Sequence, residues 1–358
     1  MKISVGTNIK EGPWGGGNLF AINLTKYLEK KGHTVINHLD HDDIDLILLT
    51  EPRKTSESSA FTHMDIFKYQ KLVNRNVLVV HRVNECDERK KTNFVNKYLI
   101  EANRVADSTV FVSTWLKNLF IDQGLKNDNL QVILSGANAE LFNSENTNVW
   151  TVEKPLKIVT HHWGANWNKG FNIYKKLDEL LSTNEYKDKL EFTYIGNLPS
   201  KVKFQNSSVV SPLSGRALAN EVKNHHAYLT GSLNEPSGNH HIEGAQCGLP
   251  ILYIDSGGIP EYCENYGLKF TENNFETILR EFIINFSKLR SNMYTYPHNS
   301  DQMCSQYENL FIKLLDSREQ IVKLRKTPYR INIFDQIIYL ISRKFSLEFK
   351  KFKLRFSK

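Results

Sequence analysis

The sequence predicts an α/β chain of two Rossmann-like domains facing a central cleft, with a basic amphipathic helix after them. Strand and helix patterns alternate over the first half. A polar stretch at 143–154 interrupts them, and the alternation then resumes. Repeated strand–helix–strand units imply parallel sheets covered on both faces.

In the first half, apolar runs predict strands at 2–8, 34–40, 44–50, 76–83, 108–113 and 130–134. Helical patterns lie between most of them, at 16–31, 63–73, 92–106 and 114–123. Ile22, Leu24, Tyr27 and Leu28 keep helical spacing, and Gly32 stands where a helix C-cap belongs. The polar stretch, opening Asn143-Ser144-Glu145-Asn146-Thr147-Asn148, reads as a linker. Beyond it strands are expected at 156–161, 190–195, 208–211, 227–232 and 250–255. Helices fit 172–181, 215–224, 240–247, 272–287 and 302–314. The resulting division is residues 1–150, residues 151–326 and a tail at 327–358. The final helices, near 302–326, are expected to return toward the first domain.

The composition, 40% hydrophobic and 24% charged, belongs to a globular chain. No apolar run approaches the length of a membrane span. Lys2-Ile3-Ser4-Val5 is a strand pattern without a charged-then-apolar leader, so no signal peptide is expected. Cys86, Cys247, Cys263 and Cys304 show no CxxC spacing and suit free thiols in a reducing cytosol. Cys86 sits in a charged stretch but is read as a bystander.

The net charge of +7 is unevenly placed. Residues 321–358 hold eleven Lys/Arg against two Asp/Glu, which leaves the body with 35 basic and 37 acidic residues. A body of that balance is not built to bind a polyanion, so nucleic acid is not an expected partner. In the tail, Phe334, Ile338, Ile341, Phe345, Phe349, Phe352 and Phe356 step by three or four, an apolar stripe on one helix face. Arg343, Lys344, Lys350, Lys351, Lys353 and Arg355 mostly take the other faces. Such a helix lies in an anionic membrane surface, or packs on its own protein body; both fit the pattern.

The most informative segment runs from Leu233-Asn234-Glu235-Pro236-Ser237-Gly238-Asn239 through His240-His241-Ile242-Glu243 to Gly248-Leu249-Pro250. Glu235 ends a strand, a turn of small residues follows, and Glu243 falls within the next helix. Gly238 lets a ligand approach the backbone closely. The free N–H groups of Pro236–Ser237–Gly238–Asn239 and the helix start, proline excepted, can cradle a diphosphate, helped by the helix dipole. Glu235 then faces the sugar side and Glu243, two turns along, a ribose.

This segment resembles the Glu-x7-Glu signature of GT-B glycosyltransferases, most closely glycosyltransferase family 4. The resemblance implies that Glu235 holds donor-sugar hydroxyls and Glu243 the ribose. Asp255-Ser256-Gly257-Gly258-Ile259-Pro260-Glu261 resembles the family's Gly-Gly-x-x-Glu turn, and Gly267-Leu268-Lys269-Phe270 follows its layout. Gly12-Pro13-Trp14-Gly15-Gly16-Gly17-Asn18 stands where the family has a glycine-rich loop near donor phosphates and acceptor, which makes Gly16 and Gly17 donor-side candidates. Phe111-Val112-Ser113-Thr114-Trp115-Leu116 and Ser135-Gly136-Ala137-Asn138 also resemble family segments, so the likeness covers about residues 1–315.

One segment departs from the family. In His161-His162-Trp163-Gly164-Ala165-Asn166-Trp167-Asn168-Lys169-Gly170, Lys169 and Gly170 match, but Gly164 occupies the usual Arg position. A Lys–Arg pair would stabilise the departing diphosphate with fixed positive charge. Here His161 or His162, or an Arg from elsewhere, must replace the missing cation. His81 follows the run 77–80, where the family places a His or Asp, and is a catalytic candidate beside Glu235 and Lys169. Arg82, Asn84 and Glu85 are acceptor-side candidates.

The resemblance implies retaining transfer from a UDP- or GDP-sugar to a glycan or lipid-linked acceptor, without a metal. The nucleotide-sugar is a substrate, and no cofactor is expected. The pairs His161-His162, His225-His226 and His240-His241 have no accompanying carboxylates at recognised ligand spacing. The expected location is the cytoplasm, with the tail at the inner membrane face. A nucleotide-sugar epimerase and a catalytically degraded binding protein are the alternatives.

Overall fold

The computed structural model describes residues 1–10, 12, 15–326 and 329–356, without the side chains of 346, 350, 351 and 353–356. Pro13 and Trp14 of the glycine-rich loop, and the side chains of Lys350, Lys351, Lys353, Arg355 and Phe356, therefore lie outside the described residues.

The first sheet contains β1 (Lys2–Val5), β2 (Thr34–Ile36), β3 (Leu46–Leu49), β4 (Leu78–Val83), β5 (Ser108–Phe111) and β6 (Leu130–Val132), ordered β2-β1-β3-β4-β5-β6 with every pair parallel. The second contains β7 (Leu156–His162), β8 (Leu190–Gly196), β9 (Ser208–Val210), β10 (Ala227–Thr230), β11 (Ile251–Ile254) and β12 (Gly267–Phe270), ordered β12-β11-β10-β7-β8-β9 and again all parallel. Parallel strands require crossovers. Those from β2 to β3 and from β8 to β9 are loops, and helices supply the others. In the first half these are α1 (Gly15–Lys30), α2 (His63–Leu72), α3 (Asp87–Lys90), α4 (Val95–Ala102) and α5 (Thr114–Asp122). In the second they are α6 (Phe171–Leu180), α7 (Gly215–Lys223), α8 (Asn239–Gln246) and α9 (Ile259–Cys263), followed by α10 (Phe275–Ile284) and α11 (Phe286–Asn292). The chain ends with α12 (Ser300–Asp316), α13 (Arg318–Leu324) and α14 (Ile333–Phe356).

The expected alternation is present, with differences in detail. The helix expected at 92–106 is the shorter α4, and two short helices not expected from the sequence, α3 and α9, are added. Lys91 takes a left-handed conformation and ends α3. The Asp87 carboxylate then accepts from the backbone N–H groups of Val95 and Asn96 at 2.9 and 3.0 Å, which caps α4 from a distance in sequence. The helix expected at 272–287 starts later and is broken at Asn285. The short run 267–270 adds a sixth strand to the second sheet, its Lys269 side chain exposed at the edge.

Crossing back, α12 packs Met303, Cys304, Tyr307, Phe311 and Leu314 into the same core as Ile3, Val5, Leu24 and Leu28. The segment that the sequence division assigns to 151–326 therefore ends on the first sheet, as its expected return implies. The linker lies along the second domain, with Thr147 Oγ1 donating to the Cys247 carbonyl at 2.8 Å.

The tail helix docks beside α2. Arg343 reaches the carbonyl of Asp40 and the carboxylate of Asp42, each at 2.7 Å, and lies over the Tyr69 ring. In the apolar stripe, Phe334 is 73% exposed and Phe345 74%. Among the described residues no helix is long and apolar enough to cross a membrane.

Candidate functional site

In an open parallel sheet a ligand crevice forms at the carboxyl ends of strands where the strand order reverses. In the second sheet that point lies between β7 and β10. There β7 ends in His161-His162, β10 ends at Thr230, and α8 begins. A cavity of about 520 Å³ opens at this point, between the two halves. Its walls include Gly16, Gly17, Arg82 and Asn84 from the first half, and Glu235, Ser237, Gly238, Asn239, His162 and Glu243 from the second. Thus ten of the sequence-proposed positions share one cavity.

Gly238 adopts φ 77° and precedes α8, whose first turn has no side-chain cap. A Cβ at Gly238 would lie 2.7 Å from the His241 ring and 2.9 Å from Glu235 Cγ. The turn is therefore built for glycine, and the first N–H groups of α8 remain available to an anion. Across the cavity, a Cβ on Gly16 would lie 3.1 Å from Asn239 Oδ1, so the two glycine turns nearly touch.

Glu235 is 4% exposed. Lys169 Nζ donates to its Oε2 at 2.7 Å, and Arg89 Nε meets its Oε1 at 2.8 Å. Burial alone would raise this carboxyl, but the charges of Arg89 and Lys169 outweigh it and hold the pKa at about 2. Burial in turn pushes Lys169 down, and Glu235 opposes this. Lys169 does not itself form the cavity wall; it supports Glu235 from behind. A carboxylate paired with two cations is a weak base and a weak nucleophile, and suits a role as hydrogen-bond acceptor.

Glu243 meets His161 Nε2 at 2.8 Å. The Tyr228 hydroxyl accepts from the His161 backbone N–H at 2.9 Å and lies 3.0 Å from His161 Nδ1. Donating its own proton there makes Nδ1 the acceptor, which leaves the Nε2 proton for Glu243.

Besides Lys169, three candidates depart from their expected places. His81 is fully buried and outside the cavity wall. Side chains alternate along β4, so Arg82 enters the cavity while His81 points to the opposite face of the sheet. Burial pushes the His81 pKa down to about 4, and the catalytic expectation for it is withdrawn. Glu85 also lies outside the wall, paired with Arg53 at 2.5 Å and with Lys90. Pro236 is buried, its carbonyl facing Gly258, where a Cβ would come within 2.3 Å of that oxygen. His162 does line the cavity, but its Nε2 bonds the Tyr174 hydroxyl at 2.7 Å and its ring packs on His240.

The Gly257-Gly258 turn clasps the halves together. Glu261 accepts from the N–H groups of Thr114 and Trp115, at 2.7 and 2.8 Å, so it caps α5 across the cleft. Tyr262 donates to the Val112 carbonyl and accepts from the Ser135 N–H at 2.9 Å. Cys86 is buried and its thiol pKa is pushed up to about 12, which fits a bystander. Among the described residues no three metal-ligating side chains gather at ligand spacing.

Arg89 was missed by sequence reasoning. It lies in the polar run 86–91, which carries no apolar periodicity, and its partner is 146 positions away. Asn168 and Asn234, which hold α3 across the cleft, were missed for the same reason.

No family model and no curated protein matches the chain. Solved structures share its fold. A glycosyltransferase from Rickettsia africae ESF-5 superposes with a TM-score of 0.62 at 15% identity, over 88% of this chain and 98% of that one. Anabaena HepE in complex with UDP and glucose gives 0.63 at 14%, over 88% and 100%. A sucrose-phosphate synthase from Thermosynechococcus elongatus gives 0.58 at 12%, over 88% and 99%. The two six-stranded parallel sheets thus form the two-domain GT-B fold found in glycosyltransferases. At these identities the likeness speaks for the fold.

Proposed function

We propose that this chain is a glycosyltransferase that moves a sugar from a nucleoside diphosphate to a glycan or lipid-linked acceptor, with retention of configuration. The observation that carries the reading is that Glu235 and Glu243 line one cavity, with the uncapped start of α8 between them in the chain. A diphosphate fits the helix start, a ribose Glu243 and a hexose Glu235. That HepE, which shares the fold, forms complexes with UDP and glucose supports a nucleotide-sugar as the donor.

In the proposed step the bond between the anomeric carbon and the diphosphate oxygen breaks, and its electron pair leaves on the diphosphate. The acceptor hydroxyl oxygen bonds the same carbon, and its proton passes to the departing diphosphate on that face. Glu235, held ionised at about 2, orients the sugar rather than taking the proton. No metal or cofactor enters this scheme.

Calorimetric titration with UDP and GDP tests it. Glu243→Ala is expected to weaken the better nucleotide by about tenfold, the loss of a charge-assisted ribose contact. Release of free nucleotide should then require an acceptor. Binding unaffected by the substitution would remove Glu243 from the site, and donor consumption without acceptor would favour an epimerase.

The tail belongs to the same reading, because a lipid-linked acceptor lies at a membrane. Its exposed phenylalanines, beside a local excess of positive charge, suit the cytoplasmic face of an anionic bilayer. Replacing Phe334, Ile338, Ile341 and Phe345 by serine should abolish flotation with phosphatidylglycerol vesicles while leaving nucleotide affinity intact. Undiminished flotation of that variant would refute the role of the stripe.

A further inference from the structure

The four-residue helix α3 belongs to the first half of the chain but is held by the second. Asn168 Nδ2 donates to the Arg89 carbonyl at 3.0 Å, and Asn234 Nδ2 lies 3.4 Å from the Glu88 carbonyl. These amides satisfy carbonyls that the end of so short a helix leaves open. Asn234 itself sits in the left-handed region, at φ 52°, with its N–H fixed by Ser256 Oγ at 2.9 Å. A non-glycine residue held there marks a position the surroundings over-determine.

The consequence is the position of Arg89. Its Nε takes one oxygen of Glu235, while Lys169 takes the other. Two cations on one carboxylate leave a local excess of positive charge. Arg89 also forms part of the cavity wall and pairs with Glu235 through Nε, and neither Nη makes a hydrogen bond among the described residues, so those two groups are left for a ligand. At this wall stand the start of α8 and the Glu235 carboxylate. The β7–α6 connection contributes no guanidinium, because position 164 is glycine.

We infer that Arg89 is an anion-binding residue of the donor site, carried across the cleft on α3 to hold the diphosphate of the nucleotide-sugar. This rests on the transferase reading and adds a residue to it from the opposite half of the molecule. Arg89 gives the diphosphate a fork of N–H donors and stabilises the charge that develops when the glycosidic bond breaks. Asn168 and Asn234 are positioning residues that act through α3. The donor site is then complete only when the two halves are closed on one another.

A structural pair with Glu235 would make the same contact, so the test must separate the two roles. The probes are UDP and GDP, each against its own nucleoside, titrated into the full chain and into Arg89→Ala, Arg89→Lys, Asn168→Ala and Asn234→Ala. Arg89→Ala should weaken the bound diphosphate about tenfold or more, while the nucleoside, which carries no phosphate, changes by less than about twofold. Arg89→Lys should recover part of the affinity, since charge remains without the fork. The two asparagine variants should lose diphosphate affinity to a smaller degree and spare the nucleoside. Equal loss of nucleoside and diphosphate would mean a structural role and overturn the inference. Wild-type diphosphate affinity in Arg89→Ala would overturn it while leaving the transferase reading standing. A wild type that binds neither diphosphate would overturn both.

Discussion

Glu235→Gln is expected to lose at least about a hundredfold in turnover, the scale set by removal of one preorganised polar group from a transition state. It is also expected to cost about 3 kcal/mol of stability, because a buried ion pair loses one partner and strands the other. The acid limb gives the sign. A carboxyl whose folded pKa is depressed stabilises the fold above its unfolded value, 4.5 for this group, and loses that stabilisation as pH falls toward 2. Glu235→Gln should therefore flatten the part of the acid unfolding curve that lies in this window. The alkaline side changes too. Burial already lowers Lys169, and Glu235 is the group that keeps it charged. Without that carboxylate its pKa should fall further, so Lys169 should lose its proton at a lower pH than in wild type, and the pH dependence of stability should shift with it. Thermal unfolding from neutral to alkaline pH measures this. An unshifted alkaline limb would show that Lys169 does not depend on Glu235.

The sheets were legible because buried parallel strands are short, continuous apolar runs, and the runs at 46–49 and 78–80 are unmistakable in the sequence. Element ends were less so, because side-chain capping from Asp87 and the left-handed Lys91 decide where α3 stops and α4 starts. The half of the site contributed by the second domain was legible for a local reason. Glu235, Gly238 and Glu243 lie on one turn and one helix, so sequence spacing maps directly onto space. The opposite wall depends on which face of β4 each residue takes. There a shift of one position separates Arg82, in the cavity, from His81, buried behind it. Arg89 could not be read at all, since nothing local in its sequence specifies a docking partner across a cleft.

Gly238→Ala is expected to be more damaging than a single methyl group suggests. A left-handed backbone costs an L-residue about 1–2 kcal/mol. At φ 77° the new Cβ would also sit 2.7 Å from His241 and 2.9 Å from both Glu235 Cγ and the His240 ring. None of these can retreat cheaply. His241 is fully buried, with its ring edge-on to Tyr262 and against His240. Glu235 is tied to Lys169 and Arg89. The turn must therefore move as a unit, and with it the N–H groups that α8 offers to an anion. A loss of about 3 kcal/mol would lower the melting temperature by roughly 6–12 °C in a domain of this size. Nucleotide affinity should fall in the same variant by about tenfold or more, because the cradle and the Glu235 carboxylate shift together. Thermal unfolding and nucleotide titration of one preparation measure both. A variant that melts early yet binds nucleotide as tightly as wild type would show that the start of α8 is not where the diphosphate rests.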